Sequence, residues 1–187
     1  MKKGISVQKL VVLGVLIAME VVLSRFVSIS TWNMKIGFAF IPVAAAAILL
    51  GPAEAAVCGG LADFLGATLF PIGAYFPGFT ATAALTGLVF GLLFHKEQPP
   101  GRVVCAVLIN QFILGLLCNT YFISVLYGSD FKALFATRIV QSLILTAVQT
   151  AGILILAKVL QRVKPSLPAM ESLHVGMGFV EKGVSSL

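Results

Sequence analysis

Four ionisable side chains stand inside long apolar stretches of this sequence: Glu20, Arg25, Asp63 and Arg138. A charge in such a stretch is costly, so it usually pairs with another charge or holds a ligand or ion. Guanidinium groups bind carboxylates and phosphates through two parallel hydrogen bonds, and two at similar depth can clamp an anion. Arg25 and Arg138 are therefore the first candidates for an anion-binding site.

Other interpretations of these four charges remain open. Arg25 can extend along apolar surface to the lipid headgroups, and Arg138 can pair with Asp63 as a purely structural contact. Asp63 shares a helix face with small residues, which suits close helix packing as well as ligand contact. Glu20 and Asp63 together also keep a cationic ligand possible.

Polar residues accompany these arginines at helical spacing. At 100° per residue, a polar stripe that should face the interior of a helix bundle comprises Arg138, Gln141, Ser142 and Gln149. In the preceding apolar stretch the same spacing puts on one face Gln111, Gly115, Cys118 and Phe122, with Asn119 and Thr120 near its outer end. Asn110 falls on the other side of that helix and is the weaker candidate.

Composition shows where these side chains must lie. Of the 187 residues, 59% are hydrophobic and 11% are charged, and the mean hydropathy is +1.04. A soluble domain is about 45–50% apolar and about 25% charged, so a soluble enzyme and a disordered chain are both excluded. The net charge of +6 does not indicate nucleic-acid binding, because the basic residues sit at the ends of apolar runs.

The apolar runs predict an all-α integral membrane bundle of six transmembrane helices within residues 1–163, followed by a cytoplasmic, poorly ordered tail over 164–187. The predicted spans are 7–27, 36–50, 53–70, 78–94, 102–127 and 131–163. Basic residues are more frequent on the side of the termini (Lys2, Lys3, Lys9, Lys96, Arg102, Lys158, Arg162, Lys164 and Lys182) than on the other (Lys35 and Lys132). This bias predicts that both termini are cytoplasmic, in a multi-pass protein of the bacterial plasma membrane.

No catalytic or metal-binding pattern is present in the sequence. The three cysteines lie singly in apolar runs, and neither histidine has a nearby ligand partner. Residues 73–80 have the spacing of a phosphate-binding loop, but Phe79 stands where the lysine must be. We therefore expect neither an enzyme nor a bound metal or cofactor.

Several segments resemble the substrate-binding S components of energy-coupling factor (ECF) vitamin transporters, most closely the folate-specific type. The residues that carry the resemblance are 35–42 (KIGFAFIP), Gly51-Pro52, Gly59-Gly60, Asp63, 71–80 (PIGAYFPGFT), Asn119-Thr120-Tyr121 and Arg138. The resemblance implies six helices around one vitamin near the outer surface, capped by the loops after the first and third spans. It also implies docking on an ECF membrane scaffold that carries two cytoplasmic ATPases. Gly14 and Ala18 match the small-xxx-small docking motif of the first span.

These observations together predict a high-affinity folate-binding subunit. The expected substrate contacts are Arg25, Tyr75, Phe79, Thr80, Asn119, Thr120, Tyr121, Arg138 and Gln141. Tyr75 and Phe79, with Trp32, can cover a flat ring at the outer mouth, although such residues also form interfacial aromatic belts. The alternatives are an S component for thiamine, riboflavin or another vitamin, a stand-alone secondary transporter, and a membrane enzyme.

Overall fold

The computed structural model describes residues 7–30, 35–95 and 98–163, and its elements are mainly helical. In chain order they are α1 (Val7–Arg25), β1 (Ile29–Ser30), β2 (Lys35–Ile36), α2 (Phe40–Leu49), α3 (Pro52–Leu69), α4 (Pro77–Phe94), α5 (Pro100–Leu108), a π-helical segment (Ile109–Cys118), α6 (Asn119–Tyr127) and α7 (Phe131–Val163). α5, the π-helical segment and α6 form one continuous helix of 28 residues. Trp32 and the tail over 164–187 lie outside the described residues.

Four of the described helices are long and apolar enough to cross a membrane: α1, α4, the continuous helix Pro100–Tyr127, and α7. α2 is apolar but has only 10 residues, and α3 carries Glu54 and Asp63 and is not among the four. The structure is therefore that of a multi-pass helical membrane protein. Six spans with cytoplasmic termini remain a prediction. The region predicted as a plain loop after α1 contains an antiparallel pair in which Ile29 lies opposite Ile36.

Glycines follow directly after two of the predicted spans, 36–50 and 102–127. Gly51 has φ of +118°, a conformation that other residues rarely adopt, and Pro52 begins α3 where no backbone N–H is needed. Gly128, with φ of +64°, ends α6 in the left-handed conformation that commonly terminates helices.

α2 is the centre of the core. Its residues Ala44, Ala46 and Ala47 are fully buried, and the helix contacts α1, α3, α4 and α7. In the same core, Phe90 and Phe94 of α4 stack with their ring centroids 5.0 Å apart. The outward faces remain apolar, as a lipid environment requires, with exposed side chains such as Leu10, Val11, Val15, Leu143 and Ile144.

α3 and α4 pack closely because glycines line their interface. A Cβ at Gly59 would lie 2.5 Å from the carbonyl oxygen of Ala83, and one at Gly87 would collide with the carbonyl oxygen of Ala55. Small residues let helix backbones approach where the hydrophobic effect cannot drive association. The expectation that the small-residue face of α3 accepts another helix is confirmed for Gly59.

We expect Gly87→Ala to destabilise the protein by about 1–3 kcal/mol, because the added methyl group meets rigid backbone. The matched control is Gly14→Ala, also within a helix, where nothing lies within 4 Å of the added Cβ. That change should be neutral or stabilising by up to about 1 kcal/mol. Thermal unfolding in detergent measures both variants, and equal effects would contradict the packing argument.

Candidate functional site

A cavity of about 480 Å³ lies between the helices and under the α3–α4 loop. Its size falls within the usual range of small-molecule sites. Six of the nine predicted substrate contacts line it: Arg25, Tyr75, Phe79, Asn119, Arg138 and Gln141. The other three do not line it. Thr80 hydrogen-bonds to the lining residue Asp63, Thr120 is fully buried, and Tyr121 is 58% exposed.

Arg25 is the last residue of α1, and its side chain crosses to α3. One guanidinium nitrogen lies 3.8 Å from the Oδ1 atom of Asp63 and 3.5 Å from the Asp63 carbonyl oxygen. The arginine side chain is only 11% exposed. Gly66 makes room for it, since a Cβ there would come within 2.5 Å of the arginine Nε. The guanidinium is therefore held against α3 instead of extending to the headgroups.

A hydrogen-bonded chain links this ion pair to the α3–α4 loop. The Thr80 hydroxyl donates to the Oδ2 atom of Asp63 at 2.9 Å, and the Tyr75 hydroxyl lies 3.2 Å from the Thr80 hydroxyl. Thr80 thus orients the carboxylate that orients Arg25. Thr80 is therefore a positioning residue, which acts on the cavity through Asp63.

Arg138 reaches the opposite wall of the cavity. Its guanidinium donates to the carbonyl oxygen of Gly115 in the π-helical segment at 3.2 Å. The alternative that Arg138 pairs with Asp63 is not what the structure shows, because the ion pair of Asp63 is with Arg25. The α7 stripe otherwise faces inward as predicted: Gln141 and Gln149 line the cavity, and Ser142 is buried.

The π-helical segment changes which residues of the fifth predicted span face inward. In a π-helix each N–H bonds five residues back, so side chains on one face recur every four to five residues. The residues of this region that line the cavity are Asn110, Gln111, Leu114, Gly115, Asn119 and Ile123. The face predicted at α-helical spacing was therefore wrong for Cys118 and Phe122, and the prediction that Asn110 lies on the other side of the helix was also wrong.

The α3–α4 loop covers one end of the cavity. Ile72, Gly73 and Ala74 line it, and the Ala74 N–H donates to the Tyr127 hydroxyl at 3.4 Å. A residue of α4 holds the Asn119 side chain in place, because the Thr82 hydroxyl donates to the Asn119 side-chain oxygen at 2.8 Å. That bond fixes the Asn119 amide against α4.

The sequence matches the family described as ECF transporter, substrate-specific component, over residues 8–160. The chain belongs to the ECF transporter family of substrate-specific components.

Individual members of the family are also similar to this S component. The folate transporter FolT of Clostridium novyi (strain NT) is 39% identical over 141 residues, which are 75% of this chain and 82% of that protein. FolT of Leuconostoc mesenteroides is 28% identical over 152 residues, or 78% and 82% of the two chains. A crystal structure of FolT bound with folic acid matches with a TM-score of 0.78 at 31% identity, covering 82% of this chain and 94% of that one.

Several cavity residues of this S component were not among the predicted contacts: Glu20, Phe40, Thr82, Phe90, Asn110, Tyr127 and Gln149. Gln149 could have been chosen from its position in the α7 stripe. Phe40 and Phe90 carry no such signal, because a buried phenylalanine in a core and one in a cavity wall look alike in sequence. Within the described part of the chain, no three histidine, cysteine or acidic side chains cluster as a metal site would require.

We expect Asp63→Asn to lower the unfolding free energy of the S component by about 1.5–3 kcal/mol, because Arg25 loses its anionic partner. Asp130→Asn is the matched control, since exposed Asp130 caps α7 and asparagine caps equally well. Unfolding followed in detergent distinguishes the two variants. A neutral effect at Asp63 would mean that the Arg25–Asp63 contact contributes little.

Proposed function

We propose that this S component binds a folate-type vitamin in the cavity and delivers it across the membrane when docked on an ATP-driven ECF module. The observation that carries the proposal is that Arg25 and Arg138 line one cavity together with amide and aromatic side chains. Folate is a dianion at neutral pH with a flat heterocycle, so it needs cations for its carboxylates and amides for its ring. The similarity to FolT over most of the chain supports this ligand.

The two arginines are suited to different tasks. Arg25 is fixed by Asp63 and Gly66 at the end of α1, near the covering loop. Arg138 is held by the Gly115 carbonyl on the other wall. Because each guanidinium is oriented by neighbouring protein groups, little side-chain freedom is lost when an anion binds, which favours affinity.

The acidic side chains of the cavity favour a second candidate. Glu20 and Asp63 both line it, and a cationic vitamin such as thiamine would be attracted to carboxylates. Calorimetric titration of the purified protein with folic acid, thiamine, riboflavin and biotin separates the candidates. If the protein binds thiamine but not folic acid, thiamine becomes the proposed ligand in place of a folate.

A stand-alone secondary transporter would instead move its substrate into vesicles that contain no ATPase subunits.

The proposed partners are an ECF transmembrane scaffold subunit and two cytoplasmic ATPase subunits, which would hydrolyse ATP in place of this chain. The docking surface is the exposed face of α1 that contains Gly14 and Ala18. A Cβ at Gly14 meets nothing within 4 Å, so this face is open for a partner helix to approach.

We expect Arg138→Gln to weaken folic acid binding about 10- to 100-fold, because a charge-assisted hydrogen bond to a carboxylate is lost. Lys132→Gln removes a positive charge from the same helix, but at an exposed position that does not line the cavity, and should leave affinity unchanged. Calorimetry in detergent measures both variants. Unchanged affinity of Arg138→Gln would remove this arginine from the site.

We expect Gly14→Leu or Ala18→Leu to abolish vitamin uptake by the assembled transporter while leaving vitamin binding by the isolated S component unchanged. A bulky side chain on this face keeps the scaffold helix at a distance. Ala136→Leu, which matches Ala18→Leu in size and lies on the exposed surface of α7, is the control. Uptake that survives both α1 substitutions would place the docking surface elsewhere.

A further inference from the structure

Asn110 is a buried amide that no described residue satisfies. Its side chain lines the cavity and the residue is only 7% exposed. Neither its Nδ2 nor its Oδ1 atom has a hydrogen-bond partner in the described part of the chain. Most buried polar side chains are hydrogen-bonded, so an amide with both ends unsatisfied calls for a specific explanation.

The π-helical segment is what brings this amide to the cavity. At α-helical spacing Asn110 would lie on the other side of the helix from Gln111 and Gly115. With the wider π-helical turn, Asn110 and Gly115 both line the cavity. π-helical turns are rare and occur frequently at functional sites. The local backbone therefore presents to the cavity a polar group that a regular helix would turn away.

The surroundings of Asn110 suit a flat ring. Phe40 and Phe90 line the same cavity. The Phe40 ring lies against α7, because a Cβ placed at Gly152 would be 2.9 Å from it. Phe90 lies eleven residues beyond Phe79 on α4, or about 16 Å along the helix. Phe90 is thus remote from the covering loop, and the cavity offers aromatic walls together with the Asn110 amide.

We propose that Asn110 determines ligand specificity by pairing with the edge of a planar heterocycle that presents an N–H donor beside an acceptor, as a lactam does. An asparagine side chain has an acceptor beside a donor, so it forms two hydrogen bonds with such an edge. The inference rests on the proposed function, because the ring of a folate-type vitamin carries this edge. The charged tail of the ligand then extends toward Arg25 and the covering loop.

Asn110→Leu tests the proposal with a side chain of similar size that cannot form hydrogen bonds. We expect folic acid to bind about tenfold more weakly or worse, because its ring edge would be buried unpaired. The thermal stability of the ligand-free protein should stay the same or rise, since an unsatisfied amide is replaced by an apolar group. A purely structural amide would give the opposite pair of results, with lower stability and unchanged affinity.

Asn110→Asp supplies a second, independent test. A carboxylate accepts two hydrogen bonds and donates none, so it repels the ring carbonyl of folic acid. We therefore expect this variant, too, to bind folic acid about tenfold more weakly or worse.

The outcomes separate this inference from the proposed function. If the unaltered protein binds no folic acid, the proposed function fails and the inference fails with it. If the unaltered protein, Asn110→Leu and Asn110→Asp all bind folic acid equally well, only the inference is overturned. N-(4-aminobenzoyl)glutamate, which lacks the heterocycle, is the ligand control, and its affinity should be the same for all three proteins.

Discussion

A guanidinium group inside an apolar helix bundle must be held by oxygen atoms, and the arrangement of this cavity follows from that constraint. Arg25 is held by the carboxylate and the carbonyl group of Asp63, and Arg138 by the carbonyl of Gly115. Each contact joins helices that are distant in sequence. The charges that define the site therefore also fix the relative positions of α1 and α3, and of α7 and the π-helical segment.

Close helix packing makes these contacts possible. Gly59 and Gly87 bring α3 and α4 together, which places Thr80 within 2.9 Å of Asp63. Gly66 does the same for the Arg25 side chain. In this protein these glycines set the separation of the backbones that carry the polar side chains of the cavity.

The sequence allowed much of this to be predicted, but not all of it. Hydropathy placed the main helices, and Gly51-Pro52 and Gly128 marked their ends, because these signals are local. The α7 stripe was also predictable, since α7 is a regular α-helix and periodicity translates directly into a face. The pairing of Asp63 with Arg25 instead of Arg138 was not, because it depends on which helices are neighbours. Asn110 was misplaced because hydropathy carries no sign of a π-helical turn.

The hydrogen bond between Ala74 and Tyr127 joins the loop above the cavity to the last turn before α7. The backbone of that loop is thereby fastened to the half of the bundle that carries Arg138, while its Tyr75 side chain connects through Thr80 and Asp63 to the end of α1. A movement that separates α1 from α6 would therefore strain both sets of hydrogen bonds. These contacts couple the position of the α3–α4 loop to that of the end of α1.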